Sequence, residues 1–151
     1  MNHLTIEAVS LGSADALLLI GRLNAELDRR FGALQEGYNA ANVLDPECTF
    51  LVAYLDGRPV ACGAFRSLGD GVVEVKRMFV EPDCRGRGIA RRLLAELEER
   101  ARRAGHATAR LETGTRLHEA VGLYESAGYR RIENYGMYAG NPHSVCFEKS
   151  L

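Results

Sequence analysis

No apolar run in this 151-residue chain approaches the ~20 residues that a membrane-spanning helix needs; stretches such as 16–20 and 51–55 are far shorter. The opening residues, MNHLTIEAVS, lack the basic-then-apolar order of a secretory signal. No C-x-x-C links the four cysteines Cys48, Cys62, Cys84 and Cys146, so the usual spacing of a zinc site is missing and no metal is expected. A disulfide scaffold is out of place in a chain of this size without an export signal. The cysteines are therefore expected as reduced thiols of a cytoplasmic protein, two or three of them in core strands. Net charge is also nearly absent. At a formal −1 there is no basic field to draw nucleic acid and no acidic excess to keep the chain unfolded. Repeats, low-complexity tracts and linkers are missing too. With 46% hydrophobic and 26% charged residues, the whole of 1–151 reads as a single domain with one sizeable core.

What is present is a sequence of clear periodicities. Leu4, Ile6 and Ala8 alternate with Thr5, Glu7 and Val9, as in a half-buried strand. Ser13 suits the N-cap of a helix carrying Leu17, Ile20, Leu23, Leu27 and Phe31 on one stripe, and Gly32 closes it. The stretch 33–46 is short, polar and ambiguous. Residues 49–55 and 58–65 read as strands joined by Asp56-Gly57, the dipeptide that supplies the positive φ angles of a two-residue hairpin. A second turn at Gly69-Asp70-Gly71 leads into a strand at 72–80.

The period then changes. Ile89, Leu93, Leu94, Leu97 and Ala101 form the stripe of a helix over 89–104, with Gly105 as its natural terminator. Glu96–Arg100, Glu98–Arg102 and Glu99–Arg103 are spaced for i,i+4 pairs, each adding about 0.2–0.5 kcal/mol. A strand at 107–113, a helix at 119–127 ended by Gly128, and strands at 129–134 and 144–149 follow. The strand–helix–strand unit at 72–113 should place its two strands parallel, by a right-handed crossover.

Arg85-Gly86-Arg87-Gly88-Ile89-Ala90 sits between that strand and that helix. The first turn of a helix has amides without intrahelical partners, and the helix dipole adds about half a positive charge there. Gly86 and Gly88 let the backbone come close to an anion, and Arg85 and Arg87 bring full charges. A diphosphate suits this turn. No Gly-Lys-Ser/Thr follows, as a Walker loop requires, and the third glycine and downstream acid of the dinucleotide fingerprint are missing.

The segment Val80-x-Pro82-x-x-Arg85-Gly86-x-Gly88-Ile89-Ala90, followed by Leu93-Leu94, resembles the acetyl-CoA motif of the GNAT superfamily of N-acetyltransferases. A second block, Ala120-x-x-Leu123-Tyr124-x-x-x-Gly128-Tyr129, resembles that family's C-terminal motif at the expected distance. The resemblance implies an α/β (α+β) fold with a mixed, mostly antiparallel sheet of about seven strands, in which the strands at 72–80 and 107–113 splay apart around the cofactor arm. It implies acetyl-CoA as cosubstrate, held by the edge of the first of these strands at Met78, Phe79 and Val80 and by Arg85, Gly86, Arg87, Gly88, Ile89 and Ala90. The reaction implied is direct transfer of acetyl to a primary amine in a ternary complex. Tyr124 matches the tyrosine that touches the cofactor and protonates the departing thiolate in many relatives. Many relatives also have Asn or Gln where this chain has Leu117.

A base must take the amine's proton. Glu74 lies four residues before Met78, on the same face at the two-residue period of a strand, and some relatives carry their base there. Glu112 on the next strand and His118, with its near-neutral intrinsic pKa, are the alternatives, together with a water relay. The family also places its acceptor against the loop after the first helix and the last hairpin, which brings in Glu36, Tyr38, Tyr135, Tyr138, Asn141 and His143. A non-catalytic acyl-CoA-binding or regulatory module on the same fold is the competing reading. No membrane and no nucleic-acid partner is expected, and a homodimer, the commonest soluble assembly, stands beside a monomer.

Overall fold

The computed structural model describes residues 3–32 and 44–151. Among these residues seven strands and three α-helices follow in the order β1 (Leu4–Ala8), α1 (Ala14–Phe31), β2 (Thr49–Leu55), β3 (Arg58–Gly69), β4 (Val72–Val80), α2 (Ile89–Arg103), β5 (Thr108–Gly114), α3 (His118–Ser126), β6 (Arg130–Ile132) and β7 (Ser144–Ser150). The strands form one sheet ordered β1-β2-β3-β4-β5-β7-β6. Every neighbouring pair is antiparallel except β4 with β5.

Local chemistry accounts for most boundaries. The Ser13 hydroxyl accepts from the Ala16 amide at 3.3 Å, and Gly32 ends α1 at φ 53°. Asp56 and Gly57 take φ 51° and 84°, the paired positive angles of a type I′ hairpin. β3 runs four residues beyond the expected 58–65, because its far end continues to pair with the start of β4, Ser67 opposite Val73. β6 is shorter than expected, three residues of the predicted 129–134.

Helix α1 lies on one face of the sheet, where Ala16, Leu19 and Leu23 meet Phe50, Val52, Cys62, Ala64 and Phe79. Helices α2 and α3 cover the other. There Ile89, Leu93, Leu94, Leu97 and Ala101, the stripe read from the sequence, pack on Leu51, Ala53, Val73, Val75, Ala109, Leu111 and Phe147. Each buried Leu, Ile, Val or Phe among them contributes about 1.5–3 kcal/mol. Two of the expected surface pairs on α2 form, Glu96 with Arg100 and Glu99 with Arg103. The third does not. Glu98 points inward instead, accepting from the Tyr129 hydroxyl at 2.9 Å and pairing with Lys149 at 2.8 Å, while Arg102 turns to Glu99. A buried carboxylate with two donors outweighs a solvated pair worth tenths of a kcal/mol.

One irregularity controls the site. Between Lys76 and Phe79 the register of β4 against β3 slips, and Arg77 sits at φ 61° without being glycine. The extra residue reverses the alternation of side chains beyond it. Met78 therefore packs on the α2 face with Leu93 and Leu97, whereas Glu74, Lys76 and Phe79 lie on the other. The expectation that Glu74 and Met78 share a face is corrected by this bulge. Gly63 is matched to it, since a Cβ there would stand 2.5 Å from the Met78 sulfur and 3.0 Å from Leu97 Cδ1. Gly63→Val should cost about 1–3 kcal/mol by overpacking, read as a lower urea midpoint with an unchanged slope.

Candidate active site

β4 and β5 are paired only from Val72–Thr108 to Val75–Leu111. Beyond that point β4 stays bonded to β3 and β5 to β7, so the two strands part. The gap between them is a cleft of about 470 Å³. Its walls are Lys76 to Val80 on one side and Glu112 to Leu117 on the other, with Leu23, Leu27 and Phe31 of α1 and Leu123 and Tyr124 of α3.

The turn at 85–90 forms one end of this cleft. Gly86 and Gly88 adopt φ 77° and 79°, and a Cβ on either would meet nothing within 4 Å, so space above the backbone is open. No hydrogen bond among the described residues engages the amides from Gly86 to Arg91, whereas the next amide, Arg92, bonds to the Gly88 carbonyl at 3.1 Å. No carboxylate occupies the first turn of α2. This row of unpartnered donors at a helix N-terminus suits a diphosphate. Gly86, Gly88, Ile89, Ala90 and Arg85 line the cleft, but Arg87 does not. The Arg85 guanidinium is already engaged. It donates to both carboxylate oxygens of Glu26 at 2.7 and 2.9 Å and to the Val80 carbonyl at 2.8 Å, and stacks over Phe79. A second pair, Arg30 with Glu119 at 2.8 Å, ties α1 to α3 across the same end.

Deeper in, Tyr124 is buried and meets Tyr129 edge-on at 5.8 Å. Burial first, then the charge of Glu112, pushes its phenol well above the ordinary range. Glu112 faces the same cleft, and the Ser144 hydroxyl donates to it at 2.5 Å. Burial raises the Glu112 carboxyl above its usual 4.5, against the opposing pull of the Ser144 hydrogen bond and of Lys76. Leu117 forms part of the far wall, an apolar side chain next to Arg116.

Glu74 does not line the cleft. It is 1% exposed and held on three sides: Arg66 Nε at 2.9 Å, Lys76 Nζ at 3.4 Å and the Tyr135 hydroxyl, which donates at 2.6 Å. Lys76 also donates to the Tyr138 hydroxyl at 3.1 Å. His118, at the start of α3, is exposed and faces a separate hollow beside Tyr129 and Arg131. His143 reaches the cleft, whereas Tyr135 and Tyr138 stack edge-on at 5.6 Å beneath it. Asn141 holds the last loop, its side chain accepting from the His143 amide at 2.9 Å. Glu36 and Tyr38 lie outside the described residues. Lys76 and Ser144 are cleft-side groups that spacing did not reveal. Apart from Glu74, two residues from Lys76, their partners stand tens of residues away: Tyr138 for Lys76, and Glu112 for Ser144, which the pairing of β5 with β7 brings together.

The profile of the acetyltransferase (GNAT) family matches residues 19–129, which include every residue named above as lining the cleft except His143. The chain belongs to the GNAT family. An IAA acetyltransferase of Azospirillum brasilense is 39% identical over 137 residues, covering 86% of this chain and 89% of the relative. An aminoalkylphosphonate N-acetyltransferase of Salmonella typhimurium is 31% identical over 119 residues, covering 76% of this chain and 75% of the relative. Among solved structures, a presumptive acyl-CoA N-acyltransferase of Klebsiella pneumoniae superimposes with a TM-score of 0.82 at 32% identity, over 98% of this chain and 97% of that one. This GNAT protein is accordingly an acetyl-CoA-dependent N-acetyltransferase with an amine as acceptor. Its seven-stranded sheet with one parallel pair is the GNAT fold that the two sequence blocks imply. Among the described residues no helix is long and apolar enough to cross a membrane.

Proposed function

We propose that this enzyme acetylates a small primary amine that also carries an acidic group, with Glu112 as the base and Tyr124 as the proton donor to the leaving thiolate. The observation that carries the reading is that one cleft is lined by both of these groups and ends in the free amides of the turn after β4. Those amides, with Gly86 and Gly88 giving access and Arg85, Arg87, Ile89 and Ala90 around them, would hold the diphosphate of acetyl-CoA. The strand edge at Met78, Phe79 and Val80 would align the cofactor arm. A backbone N–H there would draw electron density from the thioester carbonyl as the amine attacks.

Glu112 suits the base because it lines the cleft and burial raises its carboxyl above the ordinary value, which makes the carboxylate a stronger proton acceptor than an exposed one. Tyr124 is always protonated at working pH, so it is always a donor. A thiol has pKa ~8.5 and a free phenol ~10, and burial widens that gap, so the thiolate leaves with a hydrogen bond from Tyr124 more than with a full proton. Tyr124→Phe is therefore expected to slow turnover by roughly 10- to 100-fold, at or below the common size of an acid–base effect. An unchanged kcat in a thiol-release assay would remove the role.

The acidic group of the acceptor is inferred from charge. Lys76 and Arg116 line the cleft near Glu112, and Arg116 has no ion-pair partner among the described residues. A relative named for an aminoalkylphosphonate substrate supports the same class. The experiment compares thiol release with paired amines, each acid against its amide or alcohol counterpart. A preference of about tenfold or more for the acids, equivalent to one charged contact, is expected. Equal or reversed rates would reject the acidic class while leaving the amine transfer intact.

A further inference from the structure

The chain has 17 arginines but only two lysines, Lys76 and Lys149. Lys149 is fixed between Glu98 and the Tyr129 ring on the far side of β7, away from the cleft. Lys76 is different. It is the lysine that lines the cleft, its side chain 5% exposed, on the strand that borders the gap and two residues before Met78. A primary amine is the chemistry this cleft transfers acetyl to, so an amine built into its wall competes with the acceptor.

We propose that Lys76 is a self-acetylation site, modified by the enzyme's own bound acetyl-CoA when no acceptor amine is present. Geometry favours it on two counts. The side chain is walled off from bulk water by Tyr138, and it lines the same cleft as Glu112, two residues before the strand edge at Met78; its nitrogen rests on Tyr138 at 3.1 Å and Glu74 at 3.4 Å, a hold it leaves to reach a bound thioester. Burial, and then the neighbouring Arg66, lower the ammonium's hold on its proton, while Glu74 and Glu112 oppose this. A partly desolvated lysine with a depressed pKa is a stronger nucleophile near neutral pH than a surface lysine.

The Lys76 ammonium gives one proton to the Glu112 carboxylate, and the freed lone pair forms a bond to the thioester carbonyl carbon. The carbon–sulfur bond breaks and the electron pair leaves with sulfur. The second proton lost by the nitrogen ends on the CoA thiolate, delivered through the Tyr124 hydroxyl. The products are a neutral amide on Lys76 and free CoA thiol. Loss of the cation removes one of the partners of Glu74 and one of the positive charges at the acceptor end, so the modified enzyme should be slow. The inference rests on the cleft holding acetyl-CoA and not on which amine is the acceptor.

The test incubates purified protein with acetyl-CoA carrying a deuterated acetyl group, without amine, and follows intact mass and tryptic peptides. Acetylation of Lys76 blocks cleavage there and joins the peptide ending at Lys76 to Arg77. One heavy acetyl on Lys76 is expected, formed roughly 100-fold or more faster than on Lys149, as proximity of bound donor and amine allows. Excess CoA should suppress it, because it occupies the donor site. No label at Lys76, equal label on both lysines, or labelling that persists under excess CoA would each overturn the proposal. A failure here with normal thiol release on added amines leaves the transferase reading standing.

Discussion

Glu112→Gln is expected to lower kcat/KM by roughly 10²- to 10⁴-fold, the usual range for loss of a positioned base, while leaving the protein more thermostable near neutral pH. The two effects have one cause. Glu112 sits half-buried in the cleft with the Ser144 hydroxyl as its hydrogen-bond donor, and burial lifts its carboxyl above the usual 4.5. The raised pKa makes the carboxylate a better proton acceptor, and it also makes ionised Glu112 unfavourable in the folded protein. The sign of the linkage follows. In the window that opens at the ordinary value of 4.5 and extends upward, the folded chain binds more protons than the unfolded one, so stability falls as pH rises through that window. Glutamine, which still accepts from Ser144 and carries no charge, escapes that loss. Wild type and variant should melt together below pH about 4, where both carry a neutral group, and the variant should melt higher at pH 7 to 8. In activity, the acid limb of the wild-type kcat/KM profile should be missing from the variant. A variant that keeps both the rate and the limb would return the base role to Glu74 or to water.

Much of this frame is legible in the sequence alone. Asp56-Gly57 could only make a tight hairpin, the stripe from Ile89 to Ala101 could only bury one face, and the glycines at 86 and 88 marked the anion turn. These are local signals, decided by a dipeptide, a period or a capped helix. What escaped was decided at a distance. The bulge at Arg77 has no glycine to announce it, and it turns Met78 away from Glu74. The inward turn of Glu98 depends on Lys149 and Tyr129, residues that reach it only through the pairing of the last strands and the seat of α2. Glu112 and Lys76 were separated in sequence by a whole crossover, and the splay of β4 from β5 sets them on facing walls. Arg85 looked free to meet phosphate, yet Glu26 of α1 holds it, a contact between residues 59 positions apart. Binding of a diphosphate near Arg85 would thus compete with an existing ion pair.

The second large effect concerns Glu74, and it is one of stability. Glu74→Ala should cost about 3–5 kcal/mol, the penalty for removing one member of a buried charge network. Arg66, Lys76 and Tyr135 all direct donors at this carboxylate, and Lys76 is itself buried, so its ammonium would be left beside Arg66 with its closest anion gone. Arg66 is about a third exposed and recovers part of its loss through water, which holds the cost below that of a wholly enclosed triad. Glu74→Gln should cost less, since the amide can still accept from Tyr135, and it separates structure from catalysis. A supporting role predicts a lower urea midpoint but a kcat per folded molecule within a few-fold of wild type, as expected for a group that does not touch the reacting atoms. If Glu74→Gln remains fully folded, loses more than about 100-fold in kcat and flattens the acid limb, the proton passes to Glu74 and the assignment to Glu112 falls. The same pair of variants also bears on Lys76. With Glu74 gone, only the Tyr138 hydroxyl and the more distant Glu112 steady its nitrogen, so a lysine that the network restrains becomes a freer rival to any amine entering the cleft.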